Sequence, residues 1–156
     1  MLLDKPTTRT PGLQRGFSLV EVLIALVILS VGMLGIAGLY VQSMQAGRTS
    51  MFRHNAVTLA GDVADRIRAN PRAGIAYQGG GADNGCVGAD CSELEMAAHD
   101  IMLWRAQADG TLPGGDVTVV FDDTVFPPEY TISVDWVEPG DPPEQSYSIV
   151  IPVLGI

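Results

Sequence analysis

The sequence predicts an α+β fold in which a long N-terminal helix packs its second half against a small antiparallel sheet. Three observations predict this fold. Residues 17–41 form an apolar run, a helical pattern without proline continues to Asn70, and strand-like alternation fills the last third of the chain. A sheet with one apolar face must bury that face under another layer, and the second half of the helix supplies the cover.

The apolar run at residues 17–41 is long enough to cross a membrane. A bilayer core needs about 20 apolar residues, and Glu21 is the only charged residue in the run. Lys5, Arg9 and Arg15 precede it, and basic flanks stay on the cytoplasmic side. A secretory signal peptide is disfavoured, because the run exceeds the usual apolar region of about 7–15 residues and no small-residue cleavage site follows. We therefore expect an exported head.

Glu21 is the residue that a plain membrane anchor leaves unexplained. A charged residue inside the membrane costs about 2.5–3.5 kcal/mol on insertion scales, and no basic residue lies within one helical turn on its C-terminal side. Cleavage between Gly16 and Phe17 would create an α-amine four residues before Glu21. The amine of a neighbouring subunit would then neutralise the carboxylate in the membrane and in a fibre. The alternative is a glutamate tolerated near the membrane surface.

Residues 15–21, RGFSLVE, resemble the class III signal of type IV prepilins and pseudopilins. The resemblance implies that residues 1–16 are a leader and that a prepilin peptidase cuts after Gly16. It also implies that Phe17 becomes an N-methylated first residue and that Glu21, the fifth mature residue, acts in subunit assembly. In the implied pilin-like organisation, a transmembrane and fibre-core helix at 17–41 follows the leader, and a periplasmic head occupies 42–156.

The helical pattern continues into the head with one apolar stripe, which we expect to be buried. Pro71 disfavours helical geometry at the preceding residue, so the helix should end at Asn70. Two charged pairs at helical spacing, Asp62 with Arg66 and Asp65 with Arg68, are predicted on the exposed side. The stripe consists of Phe52, Ala56, Leu59, Val63 and Ile67.

Residues 74–91 are rich in glycine and predict a loop. Cys86 and Cys91 lie in it, and an exported head favours a disulfide between them, with two free thiols as the alternative. Ser92 and Glu95 predict a capping box at the start of a second helix. The apolar face expected for that helix is Leu94, Ala97, Ala98, Ile101 and Trp104.

The C-terminal third predicts three strands with alternating apolar residues. The connections between them are expected to contain the prolines of this region, which are Pro127, Pro128, Pro139, Pro142 and Pro143. The first apolar set follows the turn at residues 113–115. The three sets are Val117, Val119 and Phe121; then Tyr130, Ile132, Val134 and Trp136; then Tyr147, Ile149, Ile151 and Val153. Trp104 and Trp136 are interpreted as core residues rather than as a ligand platform.

The charge balance argues against nucleic-acid binding. The formal net charge is −9, and the acidic residues lie mostly in the head. An acidic head repels nucleic acid and anionic lipid, although Arg66, Arg68 and Arg72 leave a local basic patch open.

No group of residues predicts catalysis or a cofactor, so the chain is interpreted as not being an enzyme. A zinc site of both histidines and both cysteines conflicts with a disulfide. Calcium binding by the glycine loop lacks the spacing of a known calcium loop. Paired carboxylates near the end of the first strand are more simply a polar turn. These candidates are His54 and His99; Asp83, Asn84 and Asp90; and Asp122 and Asp123.

The head resembles the PilV family of minor pilins, also called type IV pilus modification proteins. The resemblance rests on residues 65–71, DRIRANP, on the cysteine pair, on the helix containing Trp104, and on residues 112–115, LPGG. It implies a minor pilin that acts with other minor pilins and the major pilin in assembly at the pilus tip. It also implies residence in inner-membrane lipid before assembly. A type II secretion pseudopilin and an uncleaved, membrane-anchored periplasmic binding protein remain the alternatives.

Overall fold

A computed structural model describes residues 16–139 and 141–153, without the side chains of residues 141–143. Helix α1 spans Leu19–Ala69, a 3₁₀ segment spans Pro71–Gln78, and helix α2 spans Glu93–Thr111. Three strands follow, which are β1 (Asp116–Asp122), β2 (Glu129–Glu138) and β3 (Asp141–Pro152). This long helix and small antiparallel sheet confirm the predicted α+β, pilin-like fold. The chain divides into two compact units, Met1–Met44 and Gln45–Ile156.

The first unit contains the apolar start of α1. Its apolar side chains are exposed along the helix, from Leu19 to Val41 and Met44. By length and composition, α1 is the one helix in the described part of the chain that is apolar enough to cross a membrane. A helix that is apolar on all sides and unburied by its own chain requires lipid or other protein around it.

Within the second unit, α1 buries the predicted stripe. Phe52, Ala56, Leu59, Val63 and Ile67 are all buried. The spacing of these residues places them on one side of the helix, which packs into a single core with α2 and the sheet. The helix ends at Ala69, one residue before the predicted limit, since Pro71 opens the next segment.

One of the two predicted helical ion pairs is wrong. Arg68 Nη1 lies 2.9 Å from Asp65 Oδ1, as expected. Arg66 does not pair with Asp62 and instead reaches across to Asp100 of α2, with 2.7 Å between Nη1 and Oδ1. The buried carboxylate of Asp100 competes better for the guanidinium than an exposed carboxylate does, because it has less water to interact with.

The sheet has the order β1-β2-β3, with both pairs antiparallel. Val119 is opposite Ile132, which is opposite Ile149, so the three predicted apolar sets share one face. The β2 set is fully buried, whereas β3 contributes Ile151 as its most buried member. The central strand is better covered because it has a neighbour on each side. Both tryptophans are buried, which confirms their interpretation as core residues.

Three local predictions need correction. The loop expected at 74–91 starts later, because Pro71–Gln78 is a 3₁₀ segment with a kink at Gly74, whose φ is +51°. Leu94, expected on the buried face of α2, is exposed, because it lies in the first turn, beyond the edge of the core. Pro142 and Pro143 lie inside β3 rather than in a connection. β3 is an edge strand, where proline is tolerated.

Candidate functional site

The predicted processing site lies directly before α1. Gly16, Phe17 and Ser18 are non-helical, and Phe17 is 84% exposed. The first helical bonds include the one in which Val22 N donates to Ser18 O at 3.2 Å. The peptide bond between Gly16 and Phe17 therefore lies outside the helix.

Glu21 lies in the first turn of α1. A carboxylate is favoured there by the helix dipole, which places partial positive charge at the N-terminus. Its surroundings are otherwise apolar, since Phe17, Ala25 and Leu29 line a shallow groove beside it. Within residues 16–139 and 141–153, no cationic side chain lies at ion-pair distance from Glu21. The carboxylate is therefore available to a cation from outside the described chain.

Cys86 and Cys91 form the disulfide that the sequence favoured. Cys86 and Cys91 are joined at 2.04 Å in the loop that precedes α2. Asn84 Nδ2 donates to Glu95 O at 2.9 Å, and Ala82 N donates to Ala98 O at 2.9 Å. These bonds anchor the loop along α2, so the disulfide stiffens a segment that is already attached to the head.

The predicted capping box is confirmed at the start of α2. Glu95 N donates to Ser92 Oγ, and Ser92 N donates to Glu95 Oε2 at 2.9 Å. The two hydrogen bonds from Ser92, led by the one from its backbone amide, lower the pKa of Glu95. The carboxylate stays ionised to lower pH because its charged form accepts both bonds.

A polar network fastens the end of α1 to α2. Asp100 is buried and also receives a hydrogen bond from the hydroxyl of Tyr77 at 3.5 Å. Burial raises the pKa of Tyr77 to about 12, the hydrogen bond from Asn70 opposes that rise, and the charge of Asp100 adds to it. Asn70 Nδ2 also donates to Glu93 O at 2.8 Å. The network holds the 3₁₀ segment in place between the two helices.

The basic patch suggested by the sequence is neutralised by acidic side chains. Arg66, Arg68 and Arg72 each lie within ion-pair distance of a carboxylate, at 2.7, 2.9 and 3.6 Å respectively. These contacts leave the patch without an excess of positive charge. The arrangement does not favour phosphate binding.

The other sequence candidates do not gather into one site among the described residues. Asp83 Oδ1 accepts the amide of Gly85 at 3.0 Å, and Asp122 Oδ1 accepts the amide of Thr124 at 2.8 Å, so both close local turns. His99 is buried with its Nδ1 3.4 Å from Asp83 Oδ1. Among the described residues, no three or more His, Cys, Asp or Glu side chains form a group that could hold a metal ion.

Sequence reasoning missed two buried carboxylates, those of Asp100 and Glu138. Glu138 is 7% exposed, receives a hydrogen bond from Thr49 Oγ1 at 2.8 Å and faces Trp136 Nε1 at 3.4 Å. The contact joins α1 to the end of β2 across 89 positions of sequence. No local pattern signals such a pair, because the two residues lie on elements whose packing only the tertiary structure defines.

Two family models match adjacent parts of the chain. The model of the prokaryotic N-terminal methylation motif matches residues 12–37, and the model described as type IV pilin Tt1218 matches residues 38–102. No curated protein and no solved structure matches the chain. The matched segments contain the apolar start of α1, its buried stripe, the disulfide loop and the first half of α2. The chain is therefore a type IV pilin-like protein.

Proposed function

We propose that this chain is a minor pilin of the type IV pilus, of the PilV kind, that helps to initiate pilus assembly at the tip. In this proposal a prepilin peptidase removes residues 1–16 and Phe17 is N-methylated. Before assembly, the mature chain resides in the inner membrane with its head in the periplasm. It then joins other minor pilins and the major pilin. Its role is structural rather than catalytic.

The observation that carries the proposal is Glu21, an ionisable residue on an apolar helix with no cation of the described chain beside it. An ionisable residue in a membrane helix is costly and normally has a partner. The α-amine of Phe17 in an adjacent subunit supplies a charge of the right sign. The ion pair forms only when that subunit lies in one axial position, so it sets the register of assembly.

Mass spectrometry of the membrane-extracted protein tests the processing step. We expect a mass that begins at Phe17 and includes one added methyl group, in cells that contain a prepilin peptidase. An intact leader in those cells would remove the proposal and leave a membrane-anchored periplasmic binding protein.

The assembly step is tested with Glu21→Val as the sole copy. We expect normal removal of the leader but loss of the protein from sheared pili, because the amine has no carboxylate to meet. Val20→Leu, a neighbouring change that keeps the helix apolar, is the matched control and should be incorporated. Equal incorporation of both variants would contradict the pairing argument.

The position in the assembly is tested by co-purification of the full-length protein with the candidate minor pilins. Recovery with the other minor pilins supports the tip proposal. Recovery with pseudopilins of a type II secretion system instead would assign the chain to that related machine, since the N-terminal motif is common to both.

A further inference from the structure

The connection between β1 and β2 carries an unusually exposed aromatic side chain. Phe126 is 98% exposed, and Val125 before it is 39% exposed. A phenylalanine has about 150–250 Å² of surface to bury. A large apolar side chain that lies wholly in water at a loop tip, beside a second apolar residue, gains free energy if another molecule buries it.

A cavity of about 210 Å³ lies at the same end of the sheet. Its apolar wall is built by Ile67 of α1 together with Tyr130, Ile151 and Val153, and it is partly open to the surface. The amide of Val153 donates to Pro128 O at 2.7 Å, which ties this wall to the connection that carries Phe126. An apolar protein cavity of about 150 Å³ is large enough to bind benzene. The cavity therefore has room for a phenyl ring, and Phe126 of the same chain does not fill it.

Each of the two features has charged side chains near it. Asp122 and the exposed Asp123 precede the aromatic tip along the connection. Arg68 forms part of the cavity wall, with its side chain 57% exposed. Its partner Asp65 is also exposed, and exposed ion pairs of this kind are weak and readily shared. An apolar tip that follows two acidic residues can therefore pair with an apolar cavity whose wall includes Arg68, when that guanidinium exchanges Asp65 for a carboxylate of the tip.

We propose that the head binds a second copy of this chain, with Phe126 of each copy seated in the cavity of the other. Because the tip and the cavity lie at one end of the sheet, one side of the head supplies both, and a two-fold axis lets two copies exchange them reciprocally. Asp123 of one copy then approaches Arg68 of the other. This contact goes beyond the proposed pilus function and does not depend on cleavage after Gly16.

Site-specific crosslinking of the full chain in detergent micelles tests the contact. A photoreactive phenylalanine analogue replaces Phe126 in an unlabelled chain, which is mixed with ¹⁵N-labelled wild-type chain. We expect crosslinked peptides of mixed isotope content that join position 126 to residues 67–71 or 151–153. The same analogue at Val87, which is 86% exposed in the disulfide loop, is the control and should not yield them.

Three outcomes would overturn the proposal. They are crosslinks within one copy only, a map from position 87 identical to that from 126, and a crosslink in cells to a different pilin but not to this chain. Sedimentation equilibrium in the same micelles gives an independent test. Phe126→Ser should weaken self-association about tenfold or more, since each ring loses its apolar burial. Val87→Ser should leave it unchanged, and an equal effect of the two variants would also contradict the proposal.

Discussion

Asp100→Asn should destabilise the head by removing the charge at the centre of the network between α1 and α2. The carboxylate side chain is 4% exposed and receives Arg66 Nη1 at 2.7 Å. Hydrogen bonds to charged groups contribute about 1.5–3 kcal/mol. Arg66 is 54% exposed and recovers hydration when it is released, so we expect a value at the lower end, about 1.5–2 kcal/mol. For a domain of this size that loss lowers Tm by about 6–8 °C.

The assay is thermal unfolding of the full chain in detergent micelles, followed by near-UV circular dichroism. That signal reports on the stacked rings of Tyr77 and Trp104, whose centroids lie 5.6 Å apart, beside Asp100. Asp65→Asn is the matched control, because its side chain is 80% exposed and its pair with Arg68 should contribute less than about 1 kcal/mol. Equal shifts in the two variants, or no shift for Asp100→Asn, would refute the reasoning from burial.

Two further substitutions test the packing and the titration of the head. Gly81→Ala should destabilise the head by about 1–3 kcal/mol, because a Cβ there would lie 2.6 Å from the backbone nitrogen of Met102. Gly80→Ala is the matched control. Its Cβ would meet nothing within 4 Å, so this change should be nearly neutral in the same unfolding assay. Tyr77 has its pKa raised to about 12 by burial, so its contribution to stability is present below pH 10 and is lost as the pH rises from there towards 12. Tyr77→Phe should flatten this alkaline loss in unfolding measurements between pH 9 and about 12. An unchanged slope would mean that Tyr77 ionises as readily in the folded head as in the unfolded chain, so that burial does not raise its pKa.

The helices and strands were largely predictable, because their patterns are local. The stripe from Phe52 to Ile67 repeats at helical spacing, and the β2 residues from Tyr130 to Trp136 alternate at strand spacing. The start of α2 was predictable for a similar reason, since a capping box needs only two residues three positions apart. Prediction failed at 74–78, where glycine content alone suggested a loop. There the hydrogen bond from the Tyr130 hydroxyl to Gly74 O, made across 56 positions, helps to hold a 3₁₀ segment.

The processing motif was also predictable from local sequence, whereas the contacts of the head were not. Residues 15–21 place glycine, phenylalanine and glutamate at a spacing that needs no tertiary structure to recognise. Arg66 shows the opposite case, since helical spacing favours Asp62 as its partner but Asp100 lies nearer in the folded chain. Spacing along one helix says nothing about a carboxylate that another helix brings against it.

By itself the sequence determined the α+β class, the long helix with its apolar start, and the place of a charge within that apolar run. Each follows from the order of residues over one or two turns or strands, where backbone geometry is the main constraint. Only the tertiary structure decided that Thr49 meets Glu138 and that the basic patch at the end of α1 is neutralised. It also decided that a cavity opens at the end of the sheet that carries an exposed phenylalanine. These features depend on contacts between segments that are far apart in sequence. Such contacts form only when the core packs.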